Sequence, residues 1–260
     1  MNKTPEGIIF DIDGTLTLHG EAIPGAVETI NRLKAAGFVL RFISNTTGKS
    51  AAQLAECLGR LGFNIERGEI ETSVTACVYY LGAHCASAKG YLAVPENIRS
   101  LFSFVETDAQ HPDFVVLGDL DEAFDYAILN KVFNFIRDGA QLIVFHRNPW
   151  YFRAGKTWLD SGAFTLALET ATQRQAVVTG KPSPVLFNSA LASMGLDKSQ
   201  ALMVGDDVTT DIVGARAIGL PTLLVGSGKF RPDDLVRHAI ADEAFLPRIA
   251  DLPSLLNLKA

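Results

Sequence analysis

The chain predicts an α/β fold on a parallel sheet, with a large second α/β segment inserted into it. Three observations carry this reading. Short apolar runs end at polar loops, helical periodicity fills the gaps between them, and a middle block repeats the alternation on its own. The run GIIF, residues 7–10, reads as a buried strand. Residues 25–36 follow as a helix, with Val27, Ile30 and Leu33 on one face and Gly37 as its stop. FVLRFI, 38–43, is the next strand and ends at Ser44–Asn45. Leu54, Leu58 and Leu61 then mark a helix over about 48–61. Near the other end, ALMV (201–204) runs into Gly205–Asp206–Asp207, a helix holding Ile212 and Ala215 follows, and TLLV (222–225) is a further strand.

The middle block has strands at GYLAV (90–94), DFVVLG (113–118) and QLIVF (141–145). Helices are expected near 123–137 and 162–172. A block of this length is large enough to be a domain. The expected division is a core from 1–82 and 177–260, with 83–176 inserted.

Bulk composition excludes several function classes. A net charge of −6 argues against a nucleic-acid partner or a polybasic membrane footprint. Three cysteines, Cys57, Cys77 and Cys85, form no CxxC pair, so reduced thiols and no zinc site are expected. The segment MNKTPEG has no apolar leader character, and no run reaches the roughly 20 apolar residues of a membrane span. The expectation is a cytoplasmic protein.

The chemistry gathers where strands should end, which is where ligands bind in open α/β sheets. Asp11 and Asp13 follow the first strand, Ser44 and Asn45 the second, and Asp206, Asp207 and Asp211 follow ALMV. Lys181, in TGKPSP, follows a strand expected at AVVT (176–179), with Ser183 and Pro184 placed as N-cap and first residue of a helix. Singly these have ordinary readings: a solvated turn, a helix cap, a surface lysine. Their order and their common position at strand ends point to one site. Two carboxylates ~4 Å apart repel by about 4 kcal/mol at an effective dielectric of 20. Such a cluster calls for a divalent cation or raised pKa values, and oxygen donors favour magnesium over zinc. Magnesium beside a lysine and hydroxyl donors suits a phosphate group.

Rival motifs fail on single positions. NTTGKS has Ile43 where a phosphate-binding loop needs its first glycine. GSGKF (226–230) has Leu223 at that position and Phe230 where Ser or Thr belongs. A calcium loop from Asp11 would need glycine and glutamate where Leu16 and Ala22 stand.

With these stations placed, the chain resembles the haloacid dehalogenase-like (HAD) superfamily. Its DxDGT[LV] motif is matched by Asp11–Ile12–Asp13–Gly14–Thr15–Leu16, its strand-end Ser/Thr by Ser44, its lysine by Lys181, and GDDxxxD by Gly205, Asp206, Asp207 and Asp211. The resemblance implies a Rossmann-like core with an inserted type II α/β cap domain, as in the subgroup of NagD, 4-nitrophenylphosphatases and pyridoxal phosphate phosphatase. LDSGAF, VTGKPSP and GSGKFRPDD look closest to the phospholysine phosphohistidine inorganic pyrophosphate phosphatase branch and its hydrolase-domain-containing relatives.

It also implies roles. Asp11 would be a nucleophile that becomes an aspartyl-phosphate, and Asp13 an acid and then a base. Mg2+ would sit on Asp11, Asp206 and the carbonyl of Asp13, with Asp207 and Asp211 completing its outer shell or orienting Lys181. Ser44, Asn45 and Lys181 would bind phosphoryl oxygens. The expected activity is a magnesium-dependent phosphatase for a small phosphomonoester. Hydrolysis of pyrophosphate or a phosphoramidate is the enzymatic alternative, and a receiver-like phospho-acceptor module the non-enzymatic one. Cap-mediated dimers occur in related proteins, so the resemblance is compatible with a homodimer, although no dimer seam is legible in the sequence.

Within the inserted block, the loop HRNPWYFRAGKTW (146–158) is the candidate for substrate selection. His146, Arg147 and Arg153 suit an anionic or polar leaving group, and Trp150 or Tyr151 a ring, against a plain packing role for the aromatics. Asp119, Asp121, Glu122 and Asp125 read as a solvated loop entering a helix.

Overall fold

A computed structural model describes residues 4–153 and 156–258. The chain divides into two compact units: 1–44, 49–72 and 181–260 form the first, and 45–48 with 73–180 the second.

The first unit is built on a six-stranded sheet whose pairings are all parallel. Across it lie Phe245–Leu246, Thr222–Val225, Ala201–Gly205, Gly7–Asp11, Val39–Ser44 and Ile70–Thr72. The chain leaves the central Gly7–Asp11 strand toward one edge and later returns to build the other half from Ala201–Gly205 outward. The order therefore reverses between Gly7–Asp11 and Ala201–Gly205, the kind of switch point where such sheets open a crevice. Gly7–Asp11 is buried along its length, which explains its unbroken apolar run. Phe10 and Phe42 stack with centroids 5.9 Å apart, in one core with Ile30 and Leu33 of the helix Ala26–Ala35 and Leu54 and Leu58 of Ala51–Arg60. Truncating such a phenylalanine to alanine costs about 3–5 kcal/mol. The second helix starts at 51 because Ser50 and Gln53 close a capping box: the Gln53 amide donates to Ser50 Oγ (3.2 Å) and the Ser50 amide to Gln53 Oε1 (2.9 Å).

The second unit holds a four-stranded parallel sheet in the order Val177–Val178, Gln141–Val144, Phe114–Leu117, Gly90–Ala93. Successive residues of Phe114–Leu117 serve opposite faces, as a strand buried on both sides requires. Phe114 and Val116 pack with Val74, Cys77 and Leu81 of the helix Ser73–His84. Val115 and Leu117 pack with Val132, Phe135 and Ile136 of Tyr126–Asp138. Those contacts explain why this unit begins at 73 rather than 83. The strand at 177–178 also differs from expectation, since it pairs with Gln141–Val144 of this sheet and not with the core. No helix among the described residues is long and apolar enough to cross a membrane.

Candidate active site

Register brings the acidic groups of the first unit together. Asp11 closes its strand opposite Ile43, while Phe10 stands opposite Val204, so Asp11, Ser44 and Asp206 leave three adjacent strands at the same edge. Asp11, Ser44, Asp206, Asp211 and Lys181 are all buried. Ser183 accepts the Val185 amide at 3.4 Å and caps the helix Pro184–Met194, which follows Lys181.

Lys181 Nζ donates to Asp11 Oδ1 and, at 2.7 Å, to Asp211 Oδ1. Burial lifts Asp11 to about 6; the Lys181 charge opposes that rise and Asp206 adds to it. Asp211 is also raised to about 6 by burial, against Lys181 and with Asp11. Lys181 is held above its ordinary value, because the two carboxylates outweigh the burial penalty. Both lysine bonds leave further negative charge in the cluster.

Asp206 is held from two sides. Thr15 Oγ1 donates to its Oδ1 at 2.9 Å, and the Lys229 amide to its Oδ2 at 2.7 Å. Burial nevertheless pushes its pKa up. Gly14 (φ +105°) and Gly228 (φ +52°) make this approach possible, since a Cβ on either would strike the Asp206 carboxylate. Ser227 Oγ closes the loop with a 2.7 Å bond to the Gly14 carbonyl.

Asp13 lies one turn beyond the strand. Its turn is closed by Gly14 N–H to Thr17 O (2.7 Å) and Thr17 N–H to Ile12 O (3.0 Å). The Asp13 carboxylate is exposed and accepts a long 3.4 Å bond from Thr17 Oγ1.

The helix expected around Ile212 opens with a wide π-helical turn, Val208–Ile212, before Val213–Ala217. The Ile212 amide reaches back to Asp207 O at 3.4 Å, and this turn carries Asp211 inward to Lys181. Asp207 points elsewhere. Its Oδ1 accepts the Thr209 and Thr210 amides (2.9 and 3.2 Å), and its Oδ2 pairs with Lys229 Nζ at 2.9 Å. Against the effect of burial, these bonds pull it down to about 2.

Oxygen atoms of Asp11, Asp206 and Asp211 all lie within 4.8 Å of one another. These hard oxygen donors, all three raised by burial, could hold a divalent cation.

Residues 8–106 match the family model described as haloacid dehalogenase-like hydrolase, and 178–252 match one described as HAD-hydrolase-like. Haloacid dehalogenase-like hydrolase domain-containing protein 2 of Homo sapiens is 38% identical over 229 residues, 88% of this chain and 87% of that protein. The chain belongs to the haloacid dehalogenase-like hydrolase family. Phospholysine phosphohistidine inorganic pyrophosphate phosphatase of Bos taurus is 35% identical over 256 residues, covering 96% and 93% of the two chains. NagD from E. coli K-12 superposes with a TM-score of 0.86 at 26% identity, over 96% of this chain and 98% of that one.

In this hydrolase, Asn45 opens the stretch 45–48 that clusters with the second unit, and its carbonyl accepts Ser73 Oγ at 3.4 Å. Within that unit Asp119 and His146 stand two residues past the paired Leu117 and Val144, side by side beyond the strand ends. His146 Nε2 and Asp119 Oδ2 are 3.0 Å apart. Ser161 and Thr47 hydroxyls also donate to Asp119. Burial would raise Asp119, but His146 and those hydroxyls hold it below the usual range. His146 is raised in turn, because Asp119 outweighs its own burial.

The acidic stretch 119–125 is thus only partly a solvated loop. Asp125 caps the helix Tyr126–Asp138 by accepting the Ile128 amide at 2.7 Å, whereas Asp119 is a networked group that sequence reasoning missed. Arg147 is turned to Glu169, with Gln175 Oε1 at 3.1 Å. Trp150 is 53% exposed, and its neighbour Tyr151, not Trp150, lines the cavity of this unit. The Arg153 side chain lies outside what is described. Lys229 was missed as well. It stands in GSGK just past the TLLV strand, and nothing local in that stretch announces its bonds to Asp206 and Asp207.

Proposed function

We propose that this hydrolase is a magnesium-dependent phosphatase acting on a small phosphomonoester through a phosphorylated Asp11. The observation that carries the reading is the buried Asp11–Lys181–Asp211 arrangement beside Asp206 at the carboxyl edge of the sheet. A carboxylate there, desolvated and paired with one lysine, suits in-line attack on phosphorus.

The Asp11 oxygen forms a bond to phosphorus as the bond to the leaving oxygen breaks, and Asp13 gives that oxygen its proton. Asp13, now a carboxylate, takes a proton from water. The water oxygen bonds to phosphorus, the acyl-phosphate bond breaks, and Asp11 returns with release of inorganic phosphate. Exposure at the turn suits Asp13 to this exchange with water. Ser44 and Lys181 hold phosphoryl oxygens, with Asn45, next along the chain, as a further donor. Asp211 keeps Lys181 oriented, and Asp207 braces the loop through Lys229.

Asp11, Asp206 and the carbonyl of Asp13 would hold Mg2+, which when bound supplies positive charge against the nucleophile and the phosphate. Phosphomonoester hydrolysis needs accelerations of up to about 10^21-fold, so covalent catalysis, positioning and charge must act together.

A second reading, cleavage of a phosphoramidate or of pyrophosphate, is favoured by the 35% identity to a phosphatase named for phospholysine, phosphohistidine and pyrophosphate. The test for the leading reading is phosphate release from an aryl phosphate, with Mg2+ and with chelator, by wild type and by folded Asp11→Asn. Metal-dependent release that Asp11→Asn abolishes supports it. Release by Asp11→Asn at the wild-type rate removes it.

A further inference from the structure

Asn45 follows Ser44 and opens a stretch, 45–48, that belongs to no helix or strand and clusters with the second unit. With no ladder of backbone bonds to set its course, such a stretch takes its place from what its residues touch. It is held at two points. The Asn45 carbonyl accepts Ser73 Oγ at 3.4 Å. Asn45 Oδ1 also lies so close to Gly180, the residue before Lys181, that a Cβ there would stand 2.7 Å from it. Two residues further on, Thr47 Oγ1 donates to Asp119 Oδ2.

Asp119 gathers donors from three other parts of the same unit. Its Oδ2 takes the Thr47 hydroxyl and faces His146 Nε2 at 3.0 Å, while its Oδ1 takes the hydroxyl of Ser161, first residue of the helix Ser161–Thr172. An ionised carboxylate is an acceptor alone, with about four lone-pair positions, so it satisfies all three donors at once. The ring is fixed in direction as well. The Asn148 amide donates to His146 Nδ1 at 3.2 Å, so the neutral imidazole carries its proton on Nε2 and gives it to Asp119. His146 and the two hydroxyls hold the Asp119 pKa below the usual range, which keeps the carboxylate charged at neutral pH. The result is a fixed acceptor, and the stretch 45–48 is tied to it by Thr47.

We propose that Asp119 is a positioning residue for phosphate binding, acting through Thr47 to hold Asn45 in place for the phosphoryl group. This role rests on the phosphatase reading, in which Asn45 is a phosphoryl donor, and extends it to a carboxylate outside the strand-end motifs. Thr47 is the link: its hydroxyl meets Asp119, and its backbone continues two residues back to Asn45. Loss of that bond leaves the contacts of Asn45 with Ser73 and Gly180 but releases the stretch at its second point. Misplacing a catalytic contact by about 1 Å costs up to about 100-fold in rate.

The test measures kcat and KM for an aryl phosphate with Mg2+ on variants shown by thermal denaturation to be folded. Thr47→Val keeps the shape of the side chain and removes the donor, and kcat/KM should fall by about 10–100-fold. Thr47→Ser returns the hydroxyl and should recover most of that loss. Asn45→Ala should itself cost about 100-fold or more. Adding Thr47→Val to it should cost less than about threefold further, because the second change acts through a group already removed. Asp119→Ala also strips His146 and Ser161 of their acceptor and should lose at least as much as Thr47→Val; combining the two should add little. Several results overturn the proposal and leave the phosphatase reading standing: wild-type kcat/KM in Thr47→Val or Asn45→Ala, or equal losses in Thr47→Val and Thr47→Ser. Losses that multiply when Thr47→Val is combined with Asn45→Ala or with Asp119→Ala do the same. Absence of metal-dependent release by the wild type removes both.

Discussion

Thr15 and Asp206, 191 residues apart in the chain, are joined by a 2.9 Å hydrogen bond from the threonine hydroxyl to Oδ1. With the Lys229 amide on Oδ2, both oxygens of Asp206 are aimed before any ligand arrives. Groups that orient a metal ligand typically matter 10–100-fold for metal affinity. Thr15→Val keeps the shape and removes the donor. Half-saturation for Mg2+, read from activity against metal concentration, should rise by about 10–100-fold. An unchanged half-saturation would detach Thr15 from metal binding.

Lys181 is the buried cation between Asp11 and Asp211. Removing one partner of a buried ion pair costs about 3–5 kcal/mol, because the other charge is left unpaired. Lys181→Met should lose stability in that range in urea denaturation and lose activity. Adding Asp211→Asn should recover part of the stability and none of the activity. Equal losses in the single and double variants would show that the unpaired carboxylate is not the cause.

Gly228 has φ +52°, and a Cβ there would also lie 2.6 Å from Gly14 Cα. Gly228→Ala therefore combines left-handed strain with a backbone collision next to Asp206. A cost of about 1–3 kcal/mol is expected from strain of this kind, with activity falling through displacement of Asp206. Thermal denaturation and initial rates on one preparation test both parts. Wild-type rates would show that the loop does not set the position of Asp206.

The Asp119–His146 pair gives a pH signature separate from that of Asp11 and Asp211. Held above its ordinary 6.5, His146 contributes fully below that pH and loses its contribution as pH rises through the raised value. Held below 3.8, Asp119 contributes above that pH and loses its contribution as pH falls through the lowered value. The stability gap between wild type and His146→Gln should be widest between pH 3.8 and 6.5 and shrink on the alkaline side. Denaturation curves across pH 4–9 measure it, and a constant gap would remove the charge contribution.

What sequence made legible follows local rules. The strand ends at Asp11, Ser44 and Asp206 could be read because a buried parallel strand shows as an apolar run that stops. Ser183–Pro184 could be read because caps have local chemistry. Lys229 and Asp119 could not, since the partners that give them meaning, Asp206 and Asp207 for one and Thr47, His146 and Ser161 for the other, are distant in sequence and brought near only by the tertiary fold. The strand 177–178 shows the same limit. Two valines name a strand, but pairing with Gln141–Val144 decides which sheet it joins.

The proposed phosphatase chemistry requires Asp11 to carry the phosphoryl group during turnover. Rapid acid quenching during turnover of an aryl phosphate, followed by borohydride reduction and peptide mass spectrometry, converts an acyl phosphate to a homoserine at the modified position. Homoserine at residue 11, absent without substrate and absent from Asp11→Asn, is the expected result. Full turnover with no modification at residue 11, or with the label at another carboxylate, would contradict the account.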